Sequence, residues 1–351
     1  MPFTYCSGCP DAWQGSIRLT RGIVLNVTFY GVRGSTPCSD ERLSRYGGNT
    51  ACVVIDQPGH QPIVFDLGTG LRFYGIESCG CPSATVPFKG TALVTHLHWD
   101  HVQGIPFFAP LLCDGAELDL YAPAQEGESL GEVVRGFLSP PYFPVEVDAL
   151  PGEIRFHDTE PGSFRVGDAL VTAAWVPHVG PTLGYRVELG GRSVAYVSDH
   201  QQPGVGSTEV DPAVLELCRD VDVLIHDAQF DDAEFAQRSD WGHCTVEYAV
   251  EVAAQAGCRT LVLFHHDPSH HDVRVDELLV EARELAAARG VPEVVAAHEG
   301  LTLSLVPAAE SDAAATSAPA GLGALADPQH GGVEAPARGA RSASSPIAAA
   351  R

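Results

Sequence analysis

Two hydrophobic rhythms run along the chain. Short apolar runs bounded by Gly, Pro, Asn or Asp recur at Ile23–Tyr30, Ala51–Ile55, Pro62–Phe65, Thr91–Thr95 and Leu118–Ala122. A second series follows at Ser163–Val166, Ala169–Val176, Leu183–Leu189, Ser193–Val197, Val223–Ile225, Leu261–Phe264, Val294–Ala297 and Leu301–Val306. These runs are too short for helices and rich in β-branched residues, so each predicts a strand. Helical spacing separates them around Leu130–Val134, through Leu215–Val221, and over Val246–Ala256 and Val273–Ala288. Thr245 stands where an N-cap is needed and Gly257 where a stop is; Asp272 and Gly290 offer the same pair to the last helix.

The two ends lack this patterning. Met1–Gly22 has no sustained periodicity, and Pro307–Arg351 is mostly Ala, Ser, Pro and Gly without aromatics. With little apolar surface to bury, both segments are expected to be disordered. The expected organisation is a leader at 1–22, a folded domain at 23–306 and a tail at 307–351.

Chemistry concentrates where one strand ends. Val94-Thr95-His96-Leu97-His98-Trp99-Asp100-His101 places three imidazoles and a carboxylate within six positions. His96 and His98, two apart, project from one face of an extended segment. Asp100 and His101 follow as the chain turns, before Gly104 and Pro106 break regular structure. Imidazole nitrogens and carboxylate oxygens are what borderline divalent ions such as Zn²⁺ accept, and one such cluster can hold two ions side by side.

This stretch resembles the metal motif of the metallo-β-lactamase-fold hydrolases. The resemblance implies an α/β fold, a four-layer αββα sandwich of two mixed sheets flanked by helices. It also implies further ligands at His178 and Asp199, each at a strand end, and a last one after Leu261–Phe264. There it aligns His265, while alternation turns the rival His266 to the opposite face. His96, His98 and His178 would then hold one ion, Asp100, His101 and His265 a second, with Asp199 bridging. Zn²⁺ is the expected metal and Mn²⁺ the alternative, since His and carboxylate suit both. Two dications roughly 3.5–4 Å apart lower the pKa of a shared water and clamp the oxygens of an in-line displacement at phosphorus.

His226-Asp227 and Gly242-His243-Cys244-Thr245 resemble the phosphodiesterase branch of that family, represented by ribonuclease Z. There an acidic residue and a downstream His form a proton-donating pair. This chain departs from the pattern with Asp227 for the usual Glu and Cys244 for the usual Ser. The resemblance implies Asp100, His243 and Asp227 as catalytic residues, with His243, oriented by Asp227, protonating the leaving alkoxide. Asp66, in the turn Asp66-Leu67-Gly68-Thr69-Gly70, is expected to orient a ligand His.

Two stretches are candidates for substrate binding. The corner Gly31–Pro37 can present backbone N–H groups to an anion, and Arg33 can add a guanidinium fork; plain turn chemistry is the alternative. Phe137–Pro144 reads as a stiff loop in which Tyr142 and Phe143 form either a lid offering aromatic faces to a base or sugar, or a plug on the core.

Charge narrows the substrate. The net charge is −24, and of 21 basic residues only Lys89 is a lysine. Holding a long nucleic acid takes clustered Lys and Arg, so the expected substrate is a small anionic phosphodiester and no long nucleic acid. A dinuclear metal-dependent phosphodiesterase is therefore expected, acting on a cyclic nucleotide or a phosphoribosyl cyclic phosphate. The alternatives are a same-fold hydrolase of a thioester, lactone or lactam, a ribonuclease Z-like RNA-processing nuclease, and a non-catalytic binding module. No apolar run approaches the roughly 20 residues of a membrane span, and no signal-peptide pattern is present. The expectation is a cytoplasmic enzyme with no membrane partner, compatible with a homodimer. The ten cysteines read as free thiols or metal ligands. Cys6/Cys9 with Cys79/Cys81 would suit a structural zinc; the alternative is an untethered leader carrying free thiols.

Overall fold

Among the described residues, 24–79 and 86–306 of a computed structural model, the predicted strands and one more, Glu153–Asp158, pair into two seven-stranded sheets. The first contains β1 (Leu25–Gly31), β2 (Cys52–Asp56), β3 (Ile63–Phe65), β4 (Lys89–Leu93), β5 (Glu117–Ala122), β6 (Glu153–Asp158) and, beside β1, the last strand β14 (Thr302–Leu305). The second contains β7 (Gly162–Val166), β8 (Ala169–Trp175), β9 (Leu183–Leu189), β10 (Arg192–Val197), β11 (Val223–Asp227), β12 (Thr260–Phe264) and β13 (Glu293–Ala296) in order of sequence. Each sheet is antiparallel through one half and parallel through the other. The parallel halves are β3-β4-β5-β6 and β10-β11-β12-β13.

The alternation in the sequence explains how the sheets meet. In β1, Leu25, Val27 and Phe29 are buried while their neighbours are partly exposed. Phe29, Phe65 and Leu93 of the first sheet pack on Tyr185, Tyr196 and Phe264 of the second, and Phe65 stacks on Tyr196 with centroids 4.7 Å apart. The outer faces are closed by helices. Leu71 and Tyr74 of α1 (Leu71–Cys79), Val102 of the short α2 (Trp99–Val102) and Leu130 and Val134 of α3 (Leu130–Phe137) cover the first sheet. Val214 of α4 (Pro212–Cys218), Val250 of α6 (Val246–Ala256) and Leu278 of α7 (Asp272–Arg289) cover the second, with the short α5 (Asp232–Phe235) between them in sequence. The layering is the αββα sandwich expected from the motif.

Local signals behave as their chemistry requires, with some corrections. Thr245 accepts from Tyr248 N at the start of α6, and Gly257 ends it at φ 70°. Asp272, expected to cap the last helix, is its first residue, and His271 stands at the N-cap. The Asp272 carboxylate instead accepts from Arg45 N at 2.9 Å and Tyr46 N at 3.2 Å, tying the loop before β2 to α7. Helix α1 and strand β6 had no clear periodic signal, because α1 carries a central Gly75 and β6 is a partly exposed edge strand. Cys113 is disulfide-bonded and so departs from the expectation of free thiols, while Cys38, Cys52, Cys218, Cys244 and Cys258 are free. The expected leader and tail, and Cys6, Cys9 and Cys81 of the supposed zinc site, lie outside the described residues. No helix among the described residues is long and apolar enough to cross a membrane.

Phe29 is fully buried between the sheets, with its ring 6.1 Å from that of Phe264. Phe29→Ala should lower unfolding stability by about 3–5 kcal/mol, measured as a shifted urea or guanidinium midpoint.

Candidate metal centre

Strand ends converge on one cluster that is buried on the Asp199 side and reaches solvent at His98. His96, His98, Asp100 and His101 follow β4, His178 follows β8, Asp199 follows β10 and His265 follows β12. In open α/β sheets the carboxyl ends of parallel strands form such a crevice. The seven side chains lie within reach of one another. His101 Nε2 is 3.2 Å from both Asp100 Oδ2 and Asp199 Oδ1, and His265 Nε2 is 3.2 Å from Asp100 Oδ2 and 3.5 Å from Asp199 Oδ1. On the other side of the same carboxylate, Asp199 Oδ2 is 3.8 Å from His96 Nε2 and 3.7 Å from His178 Nε2. Thus Asp199 turns one oxygen to each half of the cluster. His266 points elsewhere: its Nε2 lies 2.9 Å from Ala297 O, and its ring packs edge-on against Tyr46.

Hydrogen bonds outside the cluster decide which nitrogen of each ring faces inward. His101 Nδ1 donates to Asp66 Oδ2 at 2.8 Å, His178 Nδ1 to Gly242 O at 2.7 Å, and His265 Nδ1 to Gln229 Oε1 at 2.9 Å. The Thr95 hydroxyl donates to Asp66 and accepts from His96 Nδ1 at 3.0 Å. Each Nε2 therefore turns a lone pair inward. His98 Nδ1 and His178 Nε2 face each other at 3.3 Å. His96 Nε2, His101 Nε2 and Asp199 Oδ1 are buried without a hydrogen-bond partner. Orphaned buried polar atoms need an explanation, and inward lone pairs beside carboxylates are the donor set that divalent cations satisfy. Four overlapping groups of three donors each could hold an ion: His96/His98/His178, His96/His101/Asp199, Asp100/His101/His265 and Asp199/His243/His265.

Electrostatics agrees with this chemistry. Burial, reinforced by His101, holds His96 well below the usual imidazole range. For His265 burial opposes the proton, yet the Asp199 and Asp100 carboxylates prevail and push it up to about 9. His101 is raised against burial by Asp100, Asp199 and Asp66. Without a cation, protons thus neutralise part of the carboxylate charge; a dication takes over that task and expels them.

Asp66, fully buried at the end of β3, organises the support. Besides His101 it accepts from Thr95 N at 2.8 Å and Tyr196 Oη at 2.8 Å. Its backbone has φ 53° and that of His265 has φ 58°, left-handed conformations that non-glycine residues hold only when surroundings enforce them. Glycines provide the close approaches: a Cβ on Gly242, itself at φ 95°, would lie 2.4 Å from the His178 ring, and one on Gly34 2.3 Å from His265 Nδ1. Thr95, Tyr196 and Gln229 were not singled out in the sequence, although Gln229 lies two residues beyond Asp227 in the same turn.

Beside the cluster, His243 Nδ1 donates to Asp227 Oδ2 at 2.9 Å, so Asp in place of Glu still reaches its partner. Asp227 is fully buried and also accepts from His200 N at 3.1 Å and Gln229 N at 3.0 Å. The His243 ring lies 5.0 Å from that of His265. Cys244, in the place of Ser, donates to Asp227 O at 3.1 Å.

The corner Gly31–Pro37 does present an N–H to an anion, but the anion is the protein's own: Ser35 N donates to Asp100 Oδ2 at 2.7 Å. Arg33 is a correction. It is fully buried and donates through Nε to Gly47 O and through Nη1 to Asp267 O and His270 O. Its fork staples the loop after His265 instead of reading a substrate phosphate. Tyr142 is exposed, whereas Phe137 and Phe143 pack partly on the core. Within the Pro-rich loop, Phe137 and Phe143 thus pack as a plug would, and Tyr142 stands in solvent.

Comparison with known proteins agrees with this geometry. Residues 79–266 match the family described as Beta-lactamase superfamily domain. The chain is 31% identical over 324 residues to ribonuclease Z of Myxococcus xanthus, covering 80% of this chain and 98% of that protein. The metallo-beta-lactamase fold protein YhfI from Bacillus subtilis superposes with a TM-score of 0.59 at 18% identity, covering 81% of this chain and all of that one (100%). Zn²⁺-bound PqqB from Methylobacterium extorquens gives 0.58 at 18%, covering 80% of this chain and 100% of PqqB; at such identities the likeness is one of fold. The fold and the donor cluster are those of a metallohydrolase. The chain belongs to the metallo-β-lactamase superfamily, in its ribonuclease Z and phosphodiesterase branch, and is a metal-dependent phosphodiester hydrolase. The exclusion of long nucleic acid finds no support, since the named relative is a ribonuclease.

Removing the charge that orients His101 should loosen the site without touching the inward donors. Asp66→Asn is expected to weaken metal binding about 10- to 100-fold, measured by competition with a chromogenic chelator.

Proposed function

We propose that this chain is a dinuclear metal-dependent phosphodiesterase acting on a small anionic phosphodiester, a cyclic one such as a cyclic nucleotide or a phosphoribosyl cyclic phosphate. The observation that carries the reading is the Asp227–His243 pair set beside a seven-donor cluster that the Asp199 carboxylate spans. His96, His98 and His178 would hold one divalent cation and Asp100, His101 and His265 a second, with Asp199 between them. Zn²⁺ suits these donors best and Mn²⁺ also fits. Cations bound there supply Lewis acidity, which lowers the pKa of a water and offsets negative charge on phosphoryl oxygens.

The remaining work falls to the chain. Ser35 N, bonded to Asp100, fixes the orientation of a carboxylate that would otherwise swing. Asp227, held by two backbone N–H groups, keeps the Nδ1 proton of His243 directed at itself and offsets the charge of the protonated ring. The opposite nitrogen, Nε2, then carries the proton that an alkoxide leaving phosphorus requires. A thiolate leaves without an acid of this kind, which favours a phosphodiester over a thioester.

Net charge supports a small substrate: at −24, with one lysine, the composition is poor in the cations that neutralise a polynucleotide. A second reading, RNA processing, is favoured by the kinship with ribonuclease Z. Assaying the metal-reconstituted protein on cyclic and linear diesters and on a structured RNA decides between them. Turnover of cyclic diesters above RNA is expected; cleavage of RNA with inertness towards every small diester would overturn the small-substrate reading.

His243→Ala should lower kcat about 10²- to 10⁴-fold with KM nearly unchanged, and Asp227→Asn should act in the same direction more weakly. Stripping metal with a chelator should abolish turnover, and Zn²⁺ or Mn²⁺ should restore it. Full activity in protein shown by elemental analysis to be metal-free would exclude the mechanism.

A further inference from the structure

The loop that carries the donors also builds a wall of a cavity of about 390 Å³. Trp99 stands between His98 and Asp100 in sequence, and Gln103 follows one turn later; Phe107, Phe137, Tyr142 and Phe143 line the other sides. Among the described residues no charged side chain lines it, so it offers no cation to a phosphate. Trp99 is 58% exposed, Phe107 58% and Tyr142 76%. Clustered aromatic surface left in water marks a place where something binds. Trp99 meets Phe137 at 75° with centroids 5.4 Å apart, and Phe107 meets Phe143 at 86° and 6.3 Å. Edge-to-face pairing commits the rim of one ring and a face of the other, leaving flat faces for a further ring. Gln103 uses its amide nitrogen on Thr50 Oγ1 at 3.3 Å, which leaves its carbonyl oxygen to accept from an amino or imino N–H.

We propose that this cavity is a nucleobase subsite, stacking the flat uncharged base of the phosphodiester whose phosphate sits at the donor cluster. The inference rests on the phosphodiesterase reading and narrows its substrates to nucleoside phosphodiesters. Three observations converge on a base as occupant. The cavity has the volume of a small-molecule pocket. Its lining rewards a π-face and one hydrogen-bond donor while rejecting charge. Its wall at Trp99 is continuous along the chain with the donors His98 and Asp100. Stacking on aromatic side chains accepts any base, so the subsite selects for the presence of a base more than for its identity.

The test compares adenosine 2′,3′-cyclic phosphate with the base-free 1-O-methylribose 2′,3′-cyclic phosphate, and measures binding of adenosine alone by saturation-transfer NMR. Tyr142→Ala/Phe143→Ala is the variant of choice because neither residue lies in the donor loop; its metal content and melting temperature report whether it folds. Wild-type kcat/KM is expected to favour the base-bearing diester about 10- to 100-fold, and the double variant to lose most of that ratio. Adenosine should bind the wild type and weaken about tenfold or more in the variant. Equal kcat/KM for the two diesters together with no adenosine binding overturns the subsite, even with both diesters hydrolysed. Adenosine binding that the variant loses, with no phosphodiester hydrolysed, supports the subsite and overturns the phosphodiesterase reading instead.

Discussion

Four imidazoles aim lone pairs into one small buried space, and that space is electrostatically intolerable without positive charge inside it. His96, His101, His178 and His265 have each committed the outer ring nitrogen to a hydrogen-bond partner. The inner nitrogens face one another and two carboxylates, so neither water release nor side-chain rotation relieves the site cheaply. A bound cation would resolve it, and without one the neighbouring carboxylates favour a proton on His101 and His265. Much of the surrounding structure is legible as what holds this arrangement still.

The sandwich suits that task. Parallel strands deliver their carboxyl ends to one rim, and the packed interface of Phe65, Tyr196 and Phe264 fixes the two rims against each other. Tyr196 takes part in both, with its ring in the core and its hydroxyl on Asp66. The site also contains backbone that would relax if released: Asp66 and His265 hold positive φ values beside glycines that tolerate no side chain. Arg33 belongs to this bracing. A buried guanidinium bonded to three backbone carbonyls anchors the His265 loop, at the cost of burying a charge that carbonyl dipoles offset only in part.

Much of the site was legible before any coordinates. A His-x-His-x-Asp-His run at the end of an apolar strand is chemically specific, because few other demands produce three imidazoles and a carboxylate in six positions. Strand ends gave the positions of His178 and Asp199 meaning only in company with that run. Harder were residues whose role depends on what approaches them from elsewhere in the chain. Arg33 looks like an anion reader in a glycine-rich corner, and Asp272 like a helix cap; both are spent on partners more than 200 residues away. Thr95, Tyr196 and Gln229 carry no local signature because the partners that give them their role, Asp66 and His265, come from other turns.

Periodicity and composition by themselves determined every strand but β6, that the fold interleaves strands with helices, and which stretch carries the metal chemistry. These follow from local rules of backbone geometry and ligand affinity, which act over a few residues. Only the tertiary structure decided that Asp199 presents one oxygen to each half of the cluster, that Arg33 is spent on backbone carbonyls, and that Trp99 shares a cavity with Tyr142 and Phe143. Such facts depend on the relative placement of strand ends across two sheets, which long-range packing sets and no local pattern encodes.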